Sequence, residues 1–405
     1  MIKAWLIQRK KLFKLTFFYV SIKLILLFLS WVLSLEFMHL ASLEKMASTD
    51  LCLNDLYYTV KSRSVDAPLD TNSGKVILLN TGSFDSDSFR AELAKLLVEL
   101  RNYNPVGIGL DFYFSSDTSI PGTPALIDQL NKTPNLVMGK RNAEVQGENQ
   151  DGRLASNADY GSISFPGQQI SIRRYASDTG TFGYKLAEKL AGKGKLKPFR
   201  HNTFVIHYLT QDLMTKEEWV ESINLNPLQS RFLKLEAREI LQADSAARAI
   251  FSQIIKGKIV LVGHLGPPNN SKFDVEDKLR VPVDSNLVNR DRTMYGVLIH
   301  ANAIENLLNP QVRFSVWSDA TLFKWLVEIL LLLFLAYIIF VKAGKVINIT
   351  LLTLFSIPMA ILVLYLMKSH IYLEMGLTLI HFILFEELVK ILKPVYHKIE
   401  VWMQK

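Results

Sequence analysis

The chain has 405 residues, is 49% hydrophobic and carries a formal charge of +8; the length suffices for two or three ordinary domains, and a mean hydropathy of +0.17 leans toward a membrane protein. Cys52 is the only cysteine, which excludes an intramolecular disulfide and a cysteine metal cluster. The excess charge sits in residues 1–40 (+5) and 321–405 (+3), leaving residues 41–320 neutral, so the middle of the chain is no polyanion binder and nucleic acid is not an expected partner.

Residues 1–14 are basic and read as a cytoplasmic N-terminus. Residues 15–35 (LTFFYVSIKLILLFLSWVLSL) contain one charge, Lys23, and crossing a ~30 Å hydrocarbon core needs about 20 apolar residues. The run is too long for a cleaved signal peptide and no clean A-x-A site follows it, so it reads as an uncleaved anchor. The stretch 36–58 continues it amphipathically, and the turn-rich 64–74 (SVDAPLDTNSG) marks a boundary.

An alternating pattern follows. KVILLN (75–80) reads as a buried strand. Residues 88–103 place Phe89, Leu93, Leu97 and Leu100 at helical spacing, and Asn104-Pro105 stops that helix. VGIGLDFYF (106–114) reads as the next strand, 123–131 as a short helix and NLVMG (135–139) as a strand. Residues 141–161 are polar and irregular. Strands around Ser162 and Phe204 flank a short helix near 184–191, and 192–200 is a basic turn. A helical stretch is expected over 228–255, then a strand in KIVLVG (258–263) and a helix in YGVLIHANAIENLL (295–308). Strands alternating with helices predict a mainly parallel sheet covered on both faces.

Three further apolar runs, 322–341, 347–367 and 371–392, read as membrane spans, followed by a tail at 393–405. Basic residues of short loops lie on the cytoplasmic side. Lys3, Arg9, Lys10, Lys11 and Lys14, then Lys342 and Lys345, then Lys390, Lys393 and Lys398 all fall there if the N-terminus is inside. The expected architecture is an extracytoplasmic α/β domain over 36–320 with a mainly parallel sheet, joined to an all-α bundle of four transmembrane helices.

Taken in order, DLYYTVKSR (55–63), KVILLNTGSFD, VGIGLDFYF, GKIVLVG (257–263) and YGVLIHANAIENLL resemble a CHASE2 domain, over roughly residues 36–308. The layout of one span before and three after is similar to that family as well. The resemblance implies an extracytoplasmic sensory module of a bacterial receptor, in the cytoplasmic (inner) membrane, and not an enzyme. Such receptors usually carry a histidine kinase or a nucleotide cyclase after the last span. Only 393–405 remains here, too short to fold as one, so a signalling effector protein in trans is expected.

Ligands of open parallel sheets bind outside the carboxyl ends of the strands. Asp85 and Asp87 follow the first strand, Asp111 and Asp117 lie at or beyond the second, and His264, Asp274 and Asp277 follow KIVLVG. Asp85, Asp87, Asp111, His264 and Asp274 are therefore the candidate ligand-binding residues. A metal-dependent hydrolase would use Asp85, Asp111, His264 and Asp274, but no H-E-x-x-H, strand D-x-D or nucleophile elbow is present. Aspartates also close turns and cap helices, and no cofactor or metal is expected. Gly263-His264-Leu265-Gly266 lacks the spacing of a phosphate loop. His300 shares a helical stripe with Val297, Ala301, Ile304 and Leu308 and reads as a satisfied core histidine. Lys193, Lys195, Lys197 and Arg200 read as a solvated loop, with anionic lipid as the alternative. Arg173-Arg174 reads as a strand-edge pair, with an acidic ligand as the alternative.

Within the spans, Lys23 and the pair Glu386 and Glu387 fall at similar depths from the inner boundary, roughly 12 Å against 6 to 8 Å at ~1.5 Å per residue. A Lys23–glutamate pair tying the first span to the last is one reading, and snorkelling of Lys23 is the other. With His381 those glutamates could also form a proton relay, although four spans without an inverted repeat are few for a transporter. Expected partners are membrane lipids and the effector, with room for a small-molecule ligand and a homo-oligomer. A structural subunit without a ligand is the alternative.

Overall fold

The computed structural model describes residues 75–114, 119–140, 154–166, 171–196, 203–208, 213–214, 232–266, 277–282, 293–310, 313–316, 361, 364–369 and 371–372. The chain divides into two compact units, Tyr58–Phe314 and Met1–Tyr57 with Ser315–Lys405.

In the first unit, β1 (Val76–Asn80), β2 (Gly107–Leu110), β3 (Leu136–Lys140), β4 (Asp159–Ser162), β7 (Leu213–Met214), β8 (Phe232–Glu236) and β9 (Ile259–Gly263) form a seven-stranded sheet of order β4-β3-β2-β9-β1-β8-β7. Every pairing in it is parallel. β1 and β9 are buried at every position, as parallel strands covered on both faces should be. Ile77, Leu79, Ile108, Leu110, Val260 and Val262 share one face. There they meet α1 (Phe89–Asn102), α2 (Thr123–Lys132), α4 (Ala237–Leu241) and α5 (Ser245–Ile255). Leu93, Leu96, Leu97 and Leu100 of α1 are fully buried, each contributing roughly 2 kcal/mol. Asp244 caps α5 by accepting from the Ala247 N–H at 2.8 Å.

The opposite face receives α3 (Phe182–Ala191) and α6 (Gly296–Leu308), which also pack on each other. Two strand glycines allow this approach. A Cβ on Gly109 would stand 2.5 Å from Leu186 Cδ1, and one on Gly161 would stand 2.4 Å from the Phe182 Cα. α6 is buried along nearly its whole length, His300, Asn302, Glu305 and Asn306 included. Asn306 completes the backbone of His207, accepting its N–H at 2.8 Å and donating to its carbonyl at 2.9 Å. Arg313 donates to the terminal carbonyls of α6, those of Asn306 and Leu307.

Two antiparallel ribbons complete this unit: β5 (Arg174–Ala176) with β6 (Thr203–Val205), and β10 (Lys278–Arg280) with β11 (Thr293–Tyr295). In the second unit the short β12 (Ser315–Val316) pairs in parallel with β13 (Ile371–Tyr372).

The expected α/β domain with a mainly parallel sheet is present. Two element readings need correction. The stretch 228–255 is not one helix: Phe232–Glu236 forms β8, and α4 and α5 follow separately. FLKLE favours helix by composition, but pairing with Ile77–Asn80 of β1 overrides local propensity. The strand expected over 106–114 is shorter, Gly107–Leu110, with Leu110 in register with Val262 of β9. The runs 15–35 and 322–341, with Lys23, Glu386 and Glu387, lie outside the described residues, as do most of 347–367 and 371–392. Ile371 and Tyr372, at the start of the last run, are in β13. Among the described residues no helix is long and apolar enough to cross a membrane.

Candidate functional site

β1 passes through α1 to β2 and leaves a one-strand gap, which β9 fills. The carboxyl ends of β1, β9 and β2 therefore lie side by side, where the chain reverses its direction of growth across the sheet. Two buried polar clusters are built there.

The first is centred on Asn80, the last residue of β1 and fully buried. Its Nδ2 donates to the Gly266 carbonyl at 2.8 Å and to the Glu236 carboxylate at 2.9 and 3.1 Å. Its Oδ1 accepts from the N–H groups of Gly82 and Leu265, at 3.0 and 2.8 Å. Lys234 pairs with Glu236 at 3.0 Å. One amide thus ties together the exits of β1, β8 and β9. KVILLN reads as an apolar strand, and nothing in its pattern marks the terminal Asn as a hub.

The second cluster contains Asp111. The Asp111 N–H donates to the Val262 carbonyl at 2.9 Å, the last bond holding this segment to the sheet. Side chains alternate along a strand, so Asp111 follows Gly109 onto the face covered by α3 and α6. Its side chain is buried, with Oδ1 3.7 Å from His300 Nε2 on α6. That is contact distance, beyond a hydrogen bond. On the other side of the ring, His300 Nδ1 lies 2.7 Å from the Tyr175 hydroxyl of β5, and the Gly183 N–H donates to that hydroxyl at 2.9 Å. Phe165 stacks on the imidazole at 5.1 Å, and Phe182 and Tyr175 meet it edge-on at 5.2 and 5.5 Å.

Burial in this apolar cage sets the electrostatics. Burial first, and the Asp277 carboxylate second, push the Asp111 carboxyl up to about 8. The same burial pushes His300 down to about 3 and raises the Tyr175 phenol. A neutral acid, a neutral imidazole and a neutral phenol therefore meet between three elements far apart in the chain.

The remaining candidates fall elsewhere. Asp85 and Asp87 lie exposed in the turn before α1, where Asp85 Oδ1 accepts from the Asp87 N–H at 3.3 Å. His264 is half-buried just past β9, its ring edge-on to Tyr295 at 5.8 Å; Tyr295 precedes α6, and the Lys278 ammonium lies 5.1 Å over its ring. Asp274 and Asp117 lie outside the described residues. Among the described residues no three His, Cys, Asp or Glu side chains gather as a metal site. Arg174 donates to Thr203 across the β5–β6 ribbon at 3.3 Å. His300 is satisfied and buried, as its helical stripe suggests, while its partner Tyr175 has no sequence signal because β5 is three residues long.

The family model of the CHASE2 domain matches residues 28–339. No curated protein and no solved structure matches the chain.

Proposed function

The chain belongs to the CHASE2 domain family, and from that premise we propose that it is a non-catalytic, membrane-anchored extracytoplasmic sensor that passes a change in its outer domain to a signalling effector in trans. CHASE2 domains are sensory extracellular modules. The carrying observation is the extent of the match, which begins inside the apolar run 15–35 and ends inside the run 322–341. The family match thus covers the α/β domain together with part of each proposed anchor. Inside the outer domain, α6 supplies the physical route. It bears His300 near its start, and Arg313 grips the carbonyls at its end.

The test is protease treatment of spheroplasts expressing the full chain, with the fragments mapped, followed by co-purification of partners from native membranes. Cleavage confined to 36–320 together with capture of a kinase or cyclase is the expected result. A protected outer domain would sink the proposal. A second reading, a structural subunit with no small-molecule ligand, is favoured by one observation: the space around His300 is filled by Phe165, Tyr175 and Phe182. Correct topology with no partner enzyme would select it.

A further inference from the structure

Exposed charge differs in sign between the two ends of the parallel sheet. α3 shows how those ends relate to the helices. Its first residue, Phe182, meets Gly161 late in β4, and Lys189 in its last turn meets Gly107 at the start of β2. Helices running against the strands thus bring their C-termini to the amino end of the sheet.

Lysines gather at that end. Lys132 closes α2 before β3, Lys193 and Lys195 lie in the turn after α3, and Lys256 caps α5 before β9; all four are exposed. The half-buried Lys75 precedes β1. From β4 to β1 the sheet spans four strand spacings, about 19 Å. The turn after α3 is shaped to present its lysines. Gly192 and Gly194 take left-handed φ values of 92° and 72°, the Lys195 N–H donates to the Gly192 carbonyl at 3.1 Å, and Leu196 is buried.

The acids described at this end are engaged or buried. Asp128 pairs with Lys132 at 2.7 Å, Asp159 with Lys189 at 2.6 Å and Glu99 with Arg248 at 3.3 Å. Glu188 accepts from the Gly194 N–H at 3.1 Å, and Glu305 is buried in α6. Lys193, Lys195 and Lys256 form no ion pair among the described residues. At the other end, the exposed charges in the turns before α1, α3 and α5 are acids: Asp85, Asp87, Asp178 and Asp244.

The basic end is also the end from which the chain leaves. α6 starts with Val297 against Gly263, at the carboxyl end of β9, and is buried along nearly its whole length, so Leu308 reaches the amino end. Arg313 is held there by the carbonyls of Asn306 and Leu307. Seven residues separate Phe314 from the apolar run 322–341, a reach of at most ~29 Å at ~3.6 Å per residue.

We propose that the amino end of the sheet docks on anionic phospholipid headgroups of the membrane that anchors the chain. This deepens the sensor reading above and rests on it. A lysine held within a Debye length of such a surface, about 10 Å at 0.1 M salt, strengthens binding by about fivefold. The same surface repels the acids of the opposite end, so docking turns the carboxyl ends of β1, β9 and β2 outward.

The experiment is lysine acetylation, read by mass spectrometry, on the full chain in nanodiscs of phosphatidylcholine alone or with one-third phosphatidylglycerol. Acetylation of Lys193, Lys195 and Lys256 is expected to slow by about fivefold or more in the anionic discs. It should recover in about 1 M salt, where the Debye length falls to ~3 Å. Lys140, exposed at the end of β3, should not change. Combined Lys193→Glu and Lys195→Glu, both at exposed positions, should return Lys256 toward its rate in neutral discs. Equal rates in the two discs, slowing that includes Lys140, or a Lys256 still protected in that variant overturns the proposal. Protection by inorganic phosphate in neutral discs would mark a site for the free anion, and protection in native membranes but in neither disc would mark a protein partner; either overturns it. Equal rates with correct topology in spheroplasts remove the docking and leave the sensor. A cytosolic outer domain removes the sensor, while slowing in discs, which expose both faces, would stand.

Discussion

Asp111 and His300 give the stability of this domain opposite slopes with pH. The folded Asp111 carboxyl, raised from 3.8 to about 8, keeps a proton that the unfolded chain releases, so its contribution is complete below about 4 and is lost as pH rises to about 8. The folded imidazole, lowered from 6.5 to about 3, refuses a proton that the unfolded chain takes up. Its contribution is complete above 6.5 and is lost as pH falls to about 3. Between about 4 and 6.5 the two slopes cancel, and between 6.5 and 8 only the Asp111 slope remains. For this pair, thermal midpoints across pH 4 to 9 should therefore show a plateau and then a decline from 6.5 to 8. Asp111→Asn should remove that decline and unmask the His300 slope, so that its thermal midpoint rises from about pH 4 to 6.5. A wild-type midpoint still rising through pH 8 would contradict the burial of this carboxyl. VGIGLDFYF showed that an acid stands at a strand end, but its neutral state could not be read there. That state depends on Tyr175, Asp277 and His300, which local sequence cannot bring together.

Among the elements, the glycines of β2 and β4 govern how closely the second helical layer sits. Gly109→Ala would press on the ends of flexible side chains, Leu186 Cδ1 and Leu261 Cδ2, together with Phe182 Cζ. Overpacking of this kind costs about 1–3 kcal/mol. Gly161→Ala would instead meet the Phe182 backbone, with N at 2.6 Å and Cα at 2.4 Å, and backbone cannot change rotamer to relieve it. Denaturant unfolding should show Gly161→Ala as the more destabilised of the two, and the reverse order would mean that α3 shifts freely over the sheet. The strands KVILLN and KIVLVG and the helices at 89–102 and 296–308 were legible because a long apolar run or a clear period carries its own signal. β8 was not. Leu, Lys and Glu favour helix locally, and only its partner β1, far away in the chain, makes FLKLE extended. The ribbons β5–β6 and β10–β11 have strands of three residues; β6 was legible from the apolar stretch around Phe204, while the other three are too short to show a period.

For the whole molecule, the order of the sheet has a consequence for assembly. β9 is the last of the seven strands in the chain and stands at their centre. Until residues 259–263 arrive, β1 and β2 face each other across an empty lane about 10 Å wide, twice the spacing of paired strands. Each then presents an unsatisfied edge. Chains ending at residue 258 should be digested in a pulse of protease, and chains extending through 308 should survive it. A resistant core in the shorter chain would show that the two halves can close without their central strand. Under the proposed topology, the nascent chain emerges with its keystone still unmade, and closure over such distant contacts is slow. Its passage outward thus has a vulnerable interval, in which chaperones and proteases compete for an unfinished sheet.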